Sequence, residues 1–388
     1  MKKKILIAFG TRPEAIKMAP LVRTLKQNQK EFITKICVTV QHREMLDQVL
    51  DVFNISPDYC LDIMRENQDL FYITSSVLLK IKEVLLKFKP DIVLVQGDTT
   101  TAFSVALASF YLKIRVGHVE AGLRTFDLNS PWPEEANRQL TTRLVSFHFS
   151  PTLLNRDNLL KDQVPDSNIV VTGNTVIDAL NLVMNKIKAN RQLKQQVTEA
   201  IMVNGYDLQR LEELRKLILV TGHRRESFGE GIKSICNALK TIAVQHPDTD
   251  IVYPVHPNPN VKKPVCDILK EIHNVFLIEP LSYEPFVYLM GQSYLIISDS
   301  GGIQEEAPSL GIPVLVTRNI TERPEAVDAG TVKLVGTDSG TIISETFQLL
   351  TDQSVYEKMA SKHNPYGDGH ASHRIIDFLK SIPPMKNL

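Results

Sequence analysis

DIVLVQGDTT at residues 91–100, RVGHVEAGLR at 115–124 and SPWPEEANRQ at 130–139 decide the fold. Two short apolar runs, 92–95 and 114–119, each end in a polar cluster: Gln96-Gly97-Asp98-Thr99 after the first, His118, Glu120 and Gly122 around the second. Apolar runs of this length read as parallel strands buried on both faces, and in open α/β sheets ligands collect beyond the carboxyl ends of the strands. The reading therefore projects Asp98, Glu120 and Glu134 into one crevice, together with His118 and Arg124. Each carboxylate alone has a plain alternative. Asp98 can cap a helix beginning near Thr99, and Glu134 and Glu135 can simply start the helix after Pro131 and Pro133. Gathered in one stretch they point to an acid/base site, because like charges disfavour each other's ionised forms unless a ligand or proton chemistry uses them.

The chain has 388 residues, enough for two domains that each bury a core. Hydrophobic residues make up 43% and charged residues 23%, the balance of a globular protein in water. Lys+Arg and Asp+Glu both number 44, so no global field directs the chain to nucleic acid or an anionic membrane. Lys2-Lys3-Lys4 leads into ILIAF, too short for a signal-peptide core or a membrane span and suited to a first buried strand. Cys37, Cys60, Cys236 and Cys266 form no C-x-x-C pair, and read as reduced packing thiols of a cytoplasmic protein.

After ILIAF, Gly10 permits a tight turn and Pro13 fits the first turn of a helix running through Leu25. The free N–H groups of that helix start, with Arg12 and Lys17, make an anion site; ordinary turn chemistry explains the same residues. The G-x-G-x-x-G fingerprint of a nicotinamide dehydrogenase is absent. Strand and helix then alternate: ITKICVTV, a helix from Arg43, a helix over 72–88, the central stretch, and short strands at 147–150 and 169–172. Gln41-His42-Arg43 follows a strand and either lines the crevice or is solvated surface. Between Met184 and Lys216 the chain turns polar and charge-rich, as in exposed helices bridging two domains. The alternation then resumes through LILVTG, DIVYPVH, NVFLIEP, YLIISDSGG, IPVLV and VKLVG. The fold class is α/β, two Rossmann-like doubly wound parallel sheets in tandem. The domains are set at 1–185 and 186–365, with a terminal segment 366–388.

In the second half, His223-Arg224-Arg225 follows a strand, where arginines can grip phosphate or stand as solvated loop residues. His256 ends the next strand in the same way. Ser298 to Glu306 (SDSGGIQEE) takes a strand into two glycines and a helix start, leaving backbone N–H groups free to approach a diphosphate. A carboxylate one turn into that helix can accept both hydroxyls of a ribose. Thr321 and Arg323 in RNITERP add to the wall of the same crevice. No H-E-x-x-H and no Cys/His cluster asks for a metal, and neither a Walker loop nor a G-x-S-x-G elbow is present.

GTRPEAIKMAPL, QGDTTTAF, HVEAGLRT, SPWPEEANR, TGHRRESFG, SDSGGIQEEAPSLG, TERPE and NPYGDG, in this order and over nearly the whole chain, resemble the non-hydrolysing UDP-N-acetylglucosamine 2-epimerases of bacteria. The resemblance implies a glycosyltransferase type B architecture with the active site in the cleft between the domains and the C-terminal helix returning to the first. It implies an isomerase that interconverts UDP-N-acetylglucosamine and UDP-N-acetylmannosamine through 2-acetamidoglucal for cell-surface polysaccharide. It also implies a cytoplasmic homodimer that needs neither metal nor nicotinamide. On the matching positions it implies Asp98, Glu120 and Glu134 as acid/base carboxylates, with Arg12, Lys17 and His223 on the diphosphate and leaving-group side. Ser300, Gly301, Gly302 and Arg323 then contact phosphate, and Glu306 holds the ribose. A second UDP-N-acetylglucosamine as allosteric activator would use Gln41, His42, Arg65, Gln68, Arg224 and His256. HPNPNV lacks the leucine usual after His256, and Asn319-Ile320 stands where Asp-Thr is usual. The first departure bears on activator binding beside His256, and the second keeps a modified UDP-2-acetamido sugar (a uronic acid or 6-deoxy form) as an alternative; the hydrolysing relative, which releases UDP, is the separate runner-up.

Overall fold

Strand β1 (Lys3–Phe9) shows why the first sheet is covered on both faces. Its side chains alternate, and none from Ile5 to Phe9 is exposed. Ile5, Ile7 and Phe9 pack with the helix Arg12–Gln27 and the terminal helix Ala371–Ser381. Leu6 and Ala8 pack with the helices Leu70–Phe88 and Thr100–Tyr111 on the other face. Each fully buried Leu or Ile contributes roughly 1.5–3 kcal/mol. The computed structural model describes residues 2–39, 43–65 and 68–383, without the side chains of 43–45 and 225.

The chain divides into two compact units, one formed by Met1–Asn181 with Tyr366–Leu388 and the other by Leu182–Pro365. The first holds a parallel sheet in the order β3-β2-β1-β4-β5-β6-β7, with β2 (Phe32–Val38), β3 (Tyr59–Cys60), β4 (Ile92–Gln96), β5 (Arg115–Val119), β6 (Phe147–Ser150) and β7 (Ile169–Val171). The second holds β10-β9-β8-β11-β12-β13, also parallel, from β8 (Lys216–Thr221), β9 (Thr249–Pro254), β10 (Val275–Ile278), β11 (Leu295–Ser298), β12 (Val314–Val316) and β13 (Val332–Leu334). The doubly wound α/β class is the one expected. In each sheet the winding reverses between two neighbouring strands, β1 and β4 in the first and β8 and β11 in the second. At such a reversal the turns splay apart and leave room for a ligand.

Two elements differ from the sequence reading. The two-residue β3 is too short to announce itself. The polar stretch after Met184 is not a free bridge: its helix Arg191–Val203 buries Val197 and Ile201 within the second unit. The following segment is pinned by Asp250, fully buried, which accepts from Arg210 Nε at 2.8 Å and Arg215 Nε at 2.9 Å.

The terminal helix is fastened at both ends. Asp178 accepts from the N–H groups of Ala371 (3.1 Å) and Ser372 (2.8 Å), meeting two of the unpaired donors of the helix start. Lys3 Nζ donates to the carbonyls of Leu379 (2.6 Å) and Lys380 (2.8 Å) at its end, where a cation also suits the helix dipole. Phe378 meets Phe147 and Phe149 edge-on between these ends. Lys3→Met keeps the stem but leaves both carbonyls without this donor, and is expected to lower stability by about 1–2 kcal/mol in urea titrations. An unchanged midpoint would mean that water replaces the ammonium at no cost.

Candidate active site

In the first unit the turns after β1 and β4 are joined by Glu14. Thr11 caps the helix Arg12–Gln27, and Glu14 reaches back in a capping box. Glu14 Oε2 accepts from the N–H of Gly10 (3.0 Å) and Thr11 (2.8 Å), and Oε1 accepts from Thr99 Oγ1 (2.7 Å). Burial holds this carboxyl above the ordinary range against those hydrogen bonds. The turn carrying Arg12, half-buried, is thereby fixed to the turn carrying Asp98.

Thr99, not Asp98, caps the helix Thr100–Tyr111, its Oγ1 accepting from Ala102 N at 3.0 Å. The Asp98 carboxylate is left for Arg138, whose Nη2 and Nε lie 2.7 and 2.9 Å from Oδ2. The Asp98 carbonyl accepts from Asn137 Nδ2 at 2.9 Å. Glu120 follows β5 with φ at +64°, a conformation that non-glycine residues seldom adopt outside functional or tightly determined turns. Its Oε1 lies 2.6 Å from Lys17 Nζ, and its Oε2 accepts from Gln96. Lys17, expected on the diphosphate side, is thus engaged by Glu120.

The two adjacent glutamates of the helix Glu134–Leu144 divide the work. Glu135 is fully buried and structural, accepting from the N–H groups of Thr125 (3.1 Å) and Phe126 (3.2 Å) and from Arg138 Nη1 (3.1 Å). Burial pushes its carboxyl up, but the bonds from Gln139, Thr125 and Arg138 outweigh it and hold it below the ordinary range. Glu134 keeps a buried Oε2 that no group bonds among the described residues.

His118 and Arg124, expected in the crevice, do not line it. Arg124 is buried and donates to Asp162 (2.9 Å), Thr142 (2.6 Å) and the Leu123 carbonyl (2.7 Å). His118 is 1% exposed because a central strand buries both faces, and its Nε2 lies 2.7 Å from the Gly97 carbonyl. A carbonyl can only accept, so Nε2 carries the proton. Burial holds His118 neutral, with its pKa lowered to about 3, and His148 likewise, lowered to about 4.

These two histidines give a pH dependence with a definite sign. Unfolded, each binds a proton near pH 6.5; folded, each resists until about 3 or 4, so the unfolded state binds more protons in between. Stability is expected to be fully present above about pH 6.5 and to fall with acid through that window, by up to about 1.4 kcal/mol per pH unit for each histidine. Glu14 and Asp178, whose carboxyls burial raises, work in the opposite sense. Urea titrations from pH 7 to 4 should therefore show a shallower acid slope in His148→Gln than in the parent. Equal slopes would contradict buried neutral histidines.

In the second unit Asp299, 2% exposed, organises the turn after β8. Its Oδ2 accepts from the backbone N–H of His223 (2.7 Å) and Arg224 (2.8 Å), and its Oδ1 lies 3.3 Å from His223 Nδ1. Burial raises its carboxyl, but His223 and the Arg224 N–H bring it below the ordinary range. The His223 ring is half exposed and stacks on His256, centroids 5.8 Å apart. After β11, Ser300 precedes the helix Gly301–Glu306, which runs on into a 3-10 turn, Ala307–Leu310. The Arg323 guanidinium lies against Gly301, 3.3 Å from where a Cβ would stand, and is held by Glu305 at 2.8 Å. Glu306 Oε1 accepts from Tyr283 OH at 3.1 Å. At the second departure from the family pattern, Ile320 is exposed and Asn319 Oδ1 packs against Gly336.

Of the positions named for an activator, Gln41 and His42 lie outside the described residues. Arg65 covers the Tyr72 ring at 3.5 Å, and Gln68 is half-buried. Arg224 follows His223, and His256 is its stacking partner. The sequence reading missed Gln96, Arg138 and Asn174 as partners of the carboxylates in the first unit, and the hold of Asp299 on His223 in the second. Arg138 had a signal, three residues after Glu135 on one helical face. Among the described residues no group of three or more His, Cys, Asp or Glu side chains is arranged to hold a metal ion, and no helix is long and apolar enough to cross a membrane.

Comparison with known proteins gives this geometry a family. The family profile for UDP-N-acetylglucosamine 2-epimerase matches residues 23–380. The UDP-N-acetylglucosamine 2-epimerase of Campylobacter jejuni is 58% identical over 379 residues, 98% of each chain. The crystal structure of UDP-GlcNAc 2-epimerase from Neisseria meningitidis bound to UDP-GlcNAc superposes with a TM-score of 0.88 at 54% identity, covering 97% of this chain and 99% of that one. A glycosyltransferase of kitacinnamycin, 11% identical with a TM-score of 0.63, covering 98% of this chain and 99% of that one, shares the fold alone. With the profile covering residues 23–380 and the Campylobacter relative 58% identical over 98% of the chain, the chain belongs to the UDP-N-acetylglucosamine 2-epimerase family.

Proposed function

We propose that this protein is a non-hydrolysing UDP-N-acetylglucosamine 2-epimerase. The observation that carries the reading is the pair Asp98 and Glu120 at the ends of adjacent strands, each carboxylate met by its own cation, with Glu134 in the same stretch. A carboxylate removes the C2 proton of the sugar, the C–H electrons form the C1=C2 bond, and the C1–O bond breaks with its pair leaving on UDP. Re-addition delivers a proton to the opposite face of C2 from a second acid and re-forms the bond to UDP. Inversion at C2 by this route needs acid/base groups for both faces, which three carboxylates supply. Every step is a proton transfer or the breaking or making of a C–O bond, with no net change of oxidation state, so no redox cofactor is consumed.

The second unit binds the nucleotide in this reading. Gly301 and Gly302 offer backbone N–H groups to phosphate and Ser300 its hydroxyl, its own N–H being held by Ser298 Oγ at 3.0 Å; Arg323 adds charge over Gly301, and Glu306 accepts from the ribose hydroxyls. Asp299 fixes the His223 ring, which in this reading answers the charge that grows on the leaving diphosphate. The complex named for the Neisseria relative supports the choice of substrate. Incubated alone with UDP-N-acetylglucosamine, the protein is expected to form the manno epimer without accumulating UDP. Stoichiometric UDP and free N-acetylmannosamine would instead make it a hydrolysing enzyme.

The homodimer is also a proposal. The helices Leu70–Phe88, Thr100–Tyr111 and Glu134–Leu144 pack side by side on one face of the first unit. They leave Phe71, Leu79, Leu86, Phe110, Tyr111 and Leu140 exposed, Phe71 to 86%. An apolar face of this kind is covered economically by a second copy across a two-fold axis. Light scattering is expected to give twice the chain mass for the parent and the chain mass for Leu79→Glu with Phe110→Asp. A monomeric parent would refute it.

A further inference from the structure

We propose that Asn174 is a positioning residue that fixes the Glu120 carboxylate and ties its orientation to the docking of Tyr366 and Gly367. The inference rests on the acid/base reading of Glu120. That residue stands in a left-handed conformation, which persists only where the surroundings over-determine it. Three donors from three elements do so: Lys17 from the first helix, Gln96 from the end of β4, and Asn174 Nδ2, 3.3 Å from Oε1, from the turn after β7. Lys17 brings charge. The two amides do not titrate, so they act on the reaction through Glu120.

Asn174 cannot turn its amide over. Its Oδ1 accepts from Val176 N at 3.1 Å in the first turn of the helix Thr175–Ala189, which leaves Nδ2 to face Glu120. Asn174 is 2% exposed, and its backbone N–H donates to the Tyr366 carbonyl at 2.7 Å. That carbonyl belongs to the NPYGDG motif (364–369), one of the motifs of the resemblance to which the sequence reading gave no role of its own. Gly367, with φ at +110°, lies flat on Gly173, and a Cβ there would stand 3.0 Å from the Gly173 Cα. The returning segment thus rests on the turn whose one side chain orients the carboxylate. Catalysis is sensitive to such placement: about 1 Å of error can cost on the order of 100-fold.

Two variants separate positioning from plain stability. Asn174→Asp keeps the Oδ1 that Val176 needs and replaces the donor to Glu120 by a second carboxylate oxygen. Its kcat is expected to fall roughly 100-fold with KM within about three-fold, while calorimetric UDP binding stays near that of the parent and the urea midpoint drops, because a second buried carboxylate now stands against Glu120. Gly367→Ala leaves Asn174 intact and lifts the segment; its kcat should fall roughly ten-fold, and the double variant should be no slower than Asn174→Asp alone, because both act through one contact. A kcat for Asn174→Asp within about three-fold of the parent would overturn the positioning role. Effects that multiply in the double variant would overturn the link to Tyr366 and Gly367. If Gly367→Ala does not fold, the kcat–KM split of Asn174→Asp decides. Failure of the acid/base reading itself looks different: the parent would then exchange no C2 proton.

Discussion

Asp98→Asn is expected to lower kcat by about 10²–10⁴-fold, the usual contribution of one general acid/base group, with KM little changed. The substitution is nearly isosteric, and the local structure does not depend on the charge. Thr99 supplies the helix cap, and Arg138 keeps Glu135 as a partner 3.1 Å away. The Asp98 carbonyl keeps its bond from Asn137. Stability should therefore move by less than about 1 kcal/mol. Steady-state rates beside urea titrations check both halves. A kcat within ten-fold of the parent would remove Asp98 from the chemistry, and a comparable loss of stability would make it a structural ion pair.

Gly122→Ala is expected to be the most destabilising single methyl in the first unit. Gly122 has φ at +96°, and an added Cβ would stand 2.2 Å from the Asn155 carbonyl oxygen and 2.8 Å from its carbon. That atom belongs to the backbone of the helix Leu153–Lys161, so no side chain can rotate out of the way. Asn158 Nδ2 donates to the Gly122 carbonyl at 3.1 Å and holds the two segments together. Backbone strain and overpacking together cost about 3 kcal/mol or more. Glu120, two residues earlier and itself at positive φ, would be displaced with the turn, so activity should fall with stability. Urea unfolding followed by circular dichroism checks this. A midpoint close to the parent would show that the helix can retreat freely.

Much of this site was legible because strand and charge are written together. An apolar run followed at once by a carboxylate places that carboxylate at a strand's carboxyl end, and so Asp98 and Glu120 could be located without coordinates. Their partners were less legible. Asp98 and Thr99 are both good helix caps, and nothing in the sequence says which one folds back on the helix. Glu134 and Glu135 are adjacent and chemically alike; only tertiary packing makes Glu135 the buried support of residues 125 and 126. His118 was misplaced because a strand buried on both faces has no outward side. Gln96 and Asn174 leave no pattern of charge or periodicity, and they converge on Glu120 from distant parts of the chain. Asp299 was read as part of a phosphate turn, whereas its carboxylate closes on the backbone of residues 223 and 224.

The central claim is that carboxylates of the first unit move a proton on and off C2 of a UDP-linked amino sugar. Incubating UDP-N-acetylglucosamine with the parent protein in deuterium oxide and reading C2 by nuclear magnetic resonance tests it directly. Deuterium is expected at C2 as the manno epimer appears, with Asp98→Asn exchanging at least about 100-fold more slowly. Epimer formed with its C2 hydrogen retained, or no exchange with any UDP-2-acetamido sugar, would contradict it.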